Sequence, residues 1–233
     1  MKKVLTIGLL LIYLVSSAFA EVGFRERPII NNLSMPTGYT LNQGEFLIGI
    51  GSIGFGITDN IQLGTNVLLF ILQDYNASLK ISLAKTKTFA IATGIRVDYF
   101  NLDVFVDDDE GEASFTFLSP YIVISPKLSP KTTLHIGGQY SYISGEAEID
   151  DAEAKASSSG TRVYTGLEYS FSHKTKFLAE GGYDITFEGF SIGGGVLFGW
   201  EKFRLKLGVT YYNPKDTNGF TLPNIGLWWR FKG

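Results

Sequence analysis

The chain has 233 residues, with 20 basic residues against 23 acidic ones and a formal net charge of −3. Charged residues make up 18%, below the ~25% of ordinary soluble domains, whereas 14% are aromatic and 27 residues are glycine. The absence of cysteine excludes a disulfide framework, a thiolate metal site and a cysteine nucleophile. A negative net charge does not indicate the basic surface that binds nucleic acid, so we expect no nucleic-acid partner.

The first twenty residues predict a cleaved secretory signal peptide. Lys2 and Lys3 form a positive start, residues 4–15 are apolar, and Ala18-Phe19-Ala20 is a small-residue cleavage pattern. The alternative, a short membrane anchor, requires ~20 apolar residues. No cysteine follows the cleavage point, which excludes lipoprotein processing. We therefore expect an exported protein in which residues 21–233 form one domain.

Apolar and polar residues alternate with period two through most of the remaining chain, the pattern of strands with two different faces. In the run 203–212, for example, Leu205 and Leu207 oppose Arg204 and Lys206. The alternation blurs near Pro120, where we expect a bulge. The predicted strands are 45–56, 60–71, 75–84, 89–100, 114–125, 132–143, 161–171, 176–187, 190–200, 203–212 and 222–231.

The length of these runs favours an apolar face turned towards lipid. Most runs have 10 to 12 residues, matching the ~9–11 that cross a membrane at a tilt. Aromatic residues also gather at run ends, as the interfacial girdles of outer-membrane barrels require. The sequence therefore predicts an all-β fold, a transmembrane antiparallel up-and-down β-barrel, with a soluble β-sandwich as the alternative.

The lengths of the connections predict the strand number and orientation. Short connections (58–60, 84–88, 125–131, 172–175 and 200–202) alternate with longer ones (101–113, 144–160 and 213–221). Short turns belong to the periplasmic end, and single-chain bacterial barrels have an even number of strands. An ascending strand must then precede the run 45–56, and we place it within 33–41. Twelve strands are expected, with ten as the fallback.

The turn Gly56-Ile57-Thr58-Asp59-Asn60-Ile61-Gln62-Leu63-Gly64 and the terminal Leu227-Trp228-Trp229-Arg230-Phe231 complete this picture. With the signal peptide and the alternating runs, the chain resembles the Gram-negative outer-membrane β-barrel proteins over its whole exported length. The resemblance implies that the barrel-assembly machinery reads Phe231, which Lys232 and Gly233 follow here. The segment Met35-Pro36-Thr37-Gly38-Tyr39-Thr40-Leu41 resembles the opening of small exported barrels to which no activity is assigned.

The polar faces of the predicted strands place many charges towards the lumen. This set comprises Lys80, Arg96, Asp98, Arg162, Glu168, Lys176, Glu180, Asp184, Arg204, Lys206 and Arg230. It forms either an internal ion-pair network that fills a narrow barrel or the lining of a pore for small anionic or polar solutes.

Antiparallel pairing across the turn 172–175 makes a finer prediction about the lumen. It places Glu168 opposite Glu180 and Asp184 near Tyr164. We expect the two glutamates to pair with Arg204 or Lys206, across a glycine-lined strand that contains Gly193, Gly195 and Gly199.

Enzymatic activity is not expected. The chain has two histidines, His135 and His173, and Ser141 on the face of His135 lies roughly 20 Å along the strand. The acidic stretches 107–112 and 146–153 read as solvated loops, and the EF-hand spacing fails because Leu118 occupies its twelfth position. Divalent cations, or divalent-coated lipopolysaccharide, are the alternative partners for these loops.

The sequence as a whole predicts a cell outer-membrane barrel in contact with lipid and lipopolysaccharide, without cofactor or resident metal. A narrow pore for small polar or anionic solutes is the favoured function. A non-conducting barrel for envelope integrity or surface binding is the alternative, and a hydrolase acting on lipid or peptide is the third.

Overall fold

A computed structural model describes residues 28–106, 109–149, 152–200, 202–215 and 218–231, with the backbone alone in 102–106, 109–112, 148–149 and 152–153. The predicted signal peptide lies outside the described residues. The strands are β1 (Phe46–Gly49), β2 (Ser52–Thr58), β3 (Ile61–Asn66), β4 (Asp74–Lys85), β5 (Phe89–Val106), β6 (Asp109–Ser129), β7 (Thr132–Ile149), β8 (Ala152–Ser170), β9 (Thr175–Asp184), β10 (Gly189–Gly199), β11 (Phe203–Asn213) and β12 (Phe220–Phe231).

The strands form a closed antiparallel barrel in which each pairs with its sequence neighbours and β1 closes on β12. The predicted fold and the count of twelve are confirmed. Tight connections such as Thr58–Ile61 and Gly199–Phe203 gather at one end, hereafter the turn end. Phe46 and Phe231, which are register partners, lie at that end as well. The opposite end is hereafter the loop end.

The twelfth strand does not come from the segment in which we expected it. The predicted run 45–56 divides into β1 and β2 at Ile50 and Gly51. Gly51 has a φ of +84°, a backbone conformation that glycine adopts without steric cost. A tight turn is therefore possible there, and the run supplies two strands rather than one.

The predicted strand within 33–41 is wrong. Residues 28–45, hereafter the N-terminal segment, precede β1 and contain no strand of the barrel wall. They fold back on themselves through a bridge between Asn31 and Pro36 and a hydrogen bond from the Thr37 amide to the Ile30 carbonyl. Thr37 and Leu41 have no exposed surface. The segment thus lies inside the barrel.

Two predicted loops are strand instead. β5 and β6 pair from Phe89 and Pro126 as far as Val106 and Asp109, and β7 pairs with β8 as far as Ile149 and Ala152. These four strands have 18, 21, 18 and 19 residues, more than the ~9–11 needed to cross a membrane. They form a wall that rises beyond the rest of the barrel at the loop end.

The wall is lowest at β1, β2 and β3, which have only 4, 7 and 6 residues. The predicted strand 60–71 stops at Asn66 and gives way to a short 3₁₀ turn, Leu69–Leu72. Ile71 and Leu72 in that turn are 77% and 65% exposed. An apolar connection therefore replaces the upper part of a strand.

Apolar side chains cover the outer surface of the barrel. Ile192 on β10, Val209 on β11 and Ile225 on β12 are more than half exposed. Aromatic pairs flank this belt, such as Phe171 with Phe177 at the turn end and Phe190 with Tyr211 at the loop end. Such a belt with aromatic girdles is the outer surface of a transmembrane β-barrel.

Candidate functional site

The N-terminal segment fills the turn-end half of the lumen. Its apolar residues Ile29, Leu33, Met35, Tyr39 and Leu41 are all buried. Ile29 and Leu33 form one apolar cluster with Leu178 and Leu197 of the wall, and Met35 forms another with Ala92, Val123 and Tyr164. Inward positions that alternation would assign to a watery lumen thus pack against the chain's own N-terminal segment.

Glu180 on β9 binds the tip of the segment. Its carboxylate accepts hydrogen bonds from the backbone amides of Ser34 and Met35, at 2.9 and 3.0 Å, and from the Ser34 hydroxyl. The side chain of Asn32 adds a 2.8 Å bond to the carbonyl of Ala179. A single buried carboxylate therefore satisfies the donors of the turn that the segment makes in the middle of the lumen.

Two lysines bind the carbonyl groups of the same segment. Lys206 on β11 donates to the carbonyls of Asn32 and Leu33 at 2.8 and 2.6 Å. Lys80 on β4 donates to those of Ile30 and Tyr39 at 2.6 and 3.1 Å. The lumen thus presents an acceptor to the segment's amides and donors to its carbonyls, which fixes its position from three sides.

Glu45 and Arg230 join the segment to the barrel seam. The guanidinium of Arg230 donates to both carboxylate oxygens of Glu45 at 2.6 and 3.1 Å, and also to the Pro28 carbonyl at 2.9 Å. Both side chains are buried. Bidentate pairs of this kind are directional as well as strong, and this one lies where β1 meets β12.

Glycines in the wall make room for the segment. A Cβ built at Gly193, Gly195 or Gly208 would lie 2.9–3.0 Å from a methyl carbon of Leu33. A Cβ at Gly166 would lie 2.2 Å from the side-chain nitrogen of Asn32. Gly193 and Gly195, two glycines of the glycine-lined strand β10, thus accommodate Leu33.

The predicted pairing of Glu168 with Glu180 is wrong. Ser170 pairs with Lys176 in the ladder, so Glu168 lies opposite Leu178 and Glu180 opposite Gly166, two residues from the expected register. A shift by two keeps both glutamates on the inner face. Asp184 likewise pairs with Arg162 rather than Tyr164.

The partners of these glutamates also differ from the expectation. Glu168 binds Lys176 at 2.6 Å, whereas the N-terminal segment lies between Glu180 and Lys206 and bonds to both. Arg204 donates to the backbone carbonyls of Trp200 and Phe203.

A buried polar chain surrounds His135. Its Nδ1 lies 2.7 Å from the Ser125 hydroxyl, and its Nε2 lies 3.8 Å from Glu168. The Gly38 amide of the segment donates to the same Ser125 hydroxyl at 2.8 Å. Ser125 is on the neighbouring strand β6, so the spacing of residues along β7 does not reveal it.

The remaining predicted residues lie nearer the loop end or at the seam. Arg96 bonds Asp98 two residues along β5, and 48% of its side chain is exposed. Arg162 donates to Ser191 at 2.6 Å, whereas Asp184 accepts amide bonds from Thr186 and Phe187. Phe231, the expected assembly signal, is buried at the seam opposite Phe46. That role stays a prediction.

A cavity of about 530 Å³ lies beside the N-terminal segment, against β1–β5 and β10–β12. Its charged lining residues are Arg96, Arg204, Lys206 and Arg230, all of them basic. Apolar groups such as Leu33, Leu197 and Trp228 line it together with the amides of Asn66, Asn76 and Asn224. The volume lies within the ~300–1,000 Å³ of small-molecule sites.

The predicted acidic loops fall largely outside what the structure describes. Residues 107–108 and 150–151 are not described, and their neighbours are described by backbone alone. Glu146 is exposed and lies 3.3 Å from Lys155 on the adjacent strand. The expected divalent cations and lipopolysaccharide contacts remain predictions.

No family model matches the chain, and no curated protein matches it. Among the solved structures to which it is similar are three outer-membrane proteins. The attachment invasion locus protein Ail of Yersinia pestis has 10% identity over 81% of this chain and 99% of its own, with a TM-score of 0.35. The porin KdgM, solved with oligogalacturonate, has 10% identity over 79% and 96%, with a TM-score of 0.36. OmpT of Vibrio cholerae has 12% identity over 77% and 62%, with a TM-score of 0.39.

The barrel's own structure defines its class. Among the described residues, no helix is long and apolar enough to cross a membrane. The twelve strands close into a barrel whose outer face is apolar between two aromatic girdles. The protein is a transmembrane β-barrel of the outer-membrane type.

Proposed function

We propose that the protein is a narrow outer-membrane channel for small polar or anionic solutes, closed in this conformation by its N-terminal segment. The observation that carries the proposal is the lumen cavity, whose charged lining residues are all basic. Rings of basic side chains select for anions in pores. The cavity extends to Leu33 of the segment, so conduction requires residues 28–45 to move.

The bonds that position the segment support a movable closure. Glu180, Lys206 and Lys80 bind it through backbone amides and carbonyls, and no covalent link other than the chain itself fastens it. Hydrogen bonds to charged groups contribute about 1.5–3 kcal/mol each. The segment is therefore bound in the way that an exchangeable ligand is bound.

Single-channel recording on refolded protein in planar bilayers tests this proposal. Wild type should give small, infrequent openings, and Glu180→Ala should raise the open probability. Arg96→Gln should lower anion preference, measured as the reversal potential in a KCl gradient, and Lys131→Gln at an exposed turn should not. If neither wild type nor Glu180→Ala conducts, the channel proposal fails.

A non-conducting, surface-binding barrel is the second candidate, and the height of β5–β8 favours it. Their register continues to Val106–Asp109 and Ile149–Ala152, well beyond the ends of β9–β12. A closed lumen with a protruding sheet suits attachment rather than transport. Silent bilayer recordings, together with loss of cell-surface binding on shortening both hairpins, would support this function.

A further inference from the structure

Among the described residues, the barrel wall has an opening in its loop-end half above β1–β3, narrowed on the β3 side by the connection 67–73. β1 pairs only with Trp228–Phe231 of β12, and one further amide bond joins Ile50 to Leu227. Residues 220–226 of β12 therefore have no strand partner on that side within the described chain. The burial pattern agrees, because no residue of β12 before Arg230 is buried.

The opening falls within the membrane-spanning zone. β12 on one side and β4 on the other have 12 residues each, enough to span, whereas β1, β2 and β3 fall short of the ~9–11 required. Ile225 on the edge of β12 is 72% exposed, and Ile53 of β2 is 38% exposed. Lipid-facing side chains thus border the gap at the edge of β12 and below it on β2.

An unpaired strand edge cannot face hydrocarbon, because its amide and carbonyl groups would lack partners. Such an edge is tolerated where it lines a polar cavity. The lumen cavity meets this condition, since Asn224, Ile225 and Gly226 of the unpaired edge all line it. Pro223, which has no amide hydrogen, lies in the unpaired stretch, as expected of an edge strand.

The lining is divided in a way that fits an amphiphile. Towards the turn end, Leu33, Leu47, Leu197 and Trp228 form the apolar part, and towards the loop end are Arg96 and the amides of Asn66, Asn76 and Asn224. An apolar chain would lie against the first group, and an anionic headgroup would meet the second. Arg204, Lys206 and Arg230 also line the turn-end part, where Arg204 and Lys206 donate to backbone carbonyls and Arg230 donates to Glu45. The cavity of about 530 Å³ has room for one chain.

We propose that the gap above β1–β3 is a lateral portal through which a single-chain anionic amphiphile of the fatty-acid type passes from the membrane into the lumen cavity, with its headgroup at Arg96 and its chain against Trp228. This site does not depend on conduction. It requires only the cavity, the portal and the half-exposed guanidinium of Arg96.

Quenching of Trp228 by a dibrominated stearate tests binding. Of the three tryptophans, Trp200 and Trp229 are replaced by phenylalanine, which leaves Trp228 as the reporter in vesicles of unbrominated phosphatidylcholine. Saturable quenching is expected. Arg96→Gln should weaken the apparent affinity about tenfold or more, since it removes the charged donor. Asp98→Asn, which removes the neighbouring acid, should strengthen it.

A blocked portal tests the route. The chain has no native cysteine, so Ile225→Cys can be labelled with a bulky maleimide, and Ile192→Cys on the lipid face of β10 is the matched control. Labelling at position 225 should slow the onset of quenching at least tenfold, whereas labelling at 192 should not. A heat-induced shift on gels confirms folding of each variant.

Several results would overturn the proposal. Non-saturable quenching that Arg96→Gln leaves unchanged would mean that the probe acts from the bilayer. Equal kinetics with labels at 225 and 192 would remove the portal. Competition by butyrate as strong as by unbrominated stearate would mean that the cavity binds any carboxylate and recognises no chain. These outcomes leave the conductance test unaffected, so the two proposals can fail separately.

Discussion

Replacement of Glu180 is the most direct test of how the N-terminal segment is held inside the lumen. Glu180→Ala removes the acceptor of three hydrogen bonds, from the Ser34 amide, the Ser34 hydroxyl and the Met35 amide. Ser34 is exposed, so water can replace its bonds, whereas Met35 is buried. One buried amide without an acceptor costs about 1–3 kcal/mol, and loss of the charged acceptor adds a similar amount.

We expect the substitution to shift the equilibrium strongly towards a segment released from the lumen wall. A total of about 3 kcal/mol corresponds to roughly a hundredfold change in the opening equilibrium. Hydrogen exchange of residues 28–45, followed by mass spectrometry, should accelerate by that factor. Glu180→Gln keeps an oxygen for the two amides, so it should accelerate exchange only about fivefold, corresponding to ~1 kcal/mol.

Two controls separate segment release from global unfolding. Glu146→Ala removes a carboxylate that is 61% exposed and should leave exchange unchanged. Exchange in β9 and β10 should also stay slow in Glu180→Ala. A folded Glu180→Ala barrel with segment exchange within about twofold of wild type would refute the assignment of Glu180 as the anchor.

Three further predictions concern the same structure. Gly166→Ala places a Cβ 2.2 Å from the side chain of Asn32 and should accelerate segment exchange, whereas Gly181→Ala, with no neighbour nearer than 3.8 Å, should not; equal effects would contradict the close fit. Arg230→Met removes the guanidinium from buried Glu45, which keeps the Asn42 amide as a donor, and should lower stability to urea in vesicles by about 3–5 kcal/mol; the double change with Glu45→Gln should recover part of this loss, and no recovery would contradict the pair. On intact cells, Ser158→Cys at the loop end should react with an impermeant thiol reagent and Thr86→Cys at the turn end should not; the reverse pattern would invert the barrel.

The alternation of residue types was sufficient to predict the barrel wall. In β9–β12 each residue alternates between lipid and lumen, so the pattern of period two fixes face, length and approximate bounds. The extended hairpins were missed because their residues have two polar or small faces, as in Lys155–Gly160, now within β8. A strand outside the membrane has no lipid face to mark it.

The sequence alone could not distinguish the N-terminal segment from a strand. Its residues 33–41 alternate in part, and the parity of strand number required one more strand. The turn at Gly51 supplied that strand, and a two-residue turn within Gly49-Ile50-Gly51-Ser52 leaves only a glycine as its signal. The count of twelve was therefore predicted correctly, although the segment predicted as the first strand was the wrong one.

The sequence predicted which charged residues lie on the inner face, but it did not predict the groups to which they bond. Period two places Glu180, Lys206 and Arg230 on the inner face without specifying what occupies the space between them. Glu180 and Lys206 bond to main-chain groups of residues 32–35, and main-chain groups have no residue type that a pattern could recognise. The glycines around Leu33 were a usable signal, because a stripe without side chains on an inner face marks a place where another part of the protein approaches.

Leu33 is among the residues of the segment that also line the cavity, and this shared surface couples the two proposals. Leu33 fills the glycine recess while it also lines the cavity. An acyl chain can pack against Leu33 only while the segment lies inside the lumen. The amphiphile would therefore bind the closed barrel more tightly than the open one. A ligand that prefers one state shifts the equilibrium towards it, and the coupling is reciprocal. Stearate should therefore slow exchange of residues 28–45 and lower the open probability, and Glu180→Ala should weaken stearate binding although Glu180 does not line the cavity.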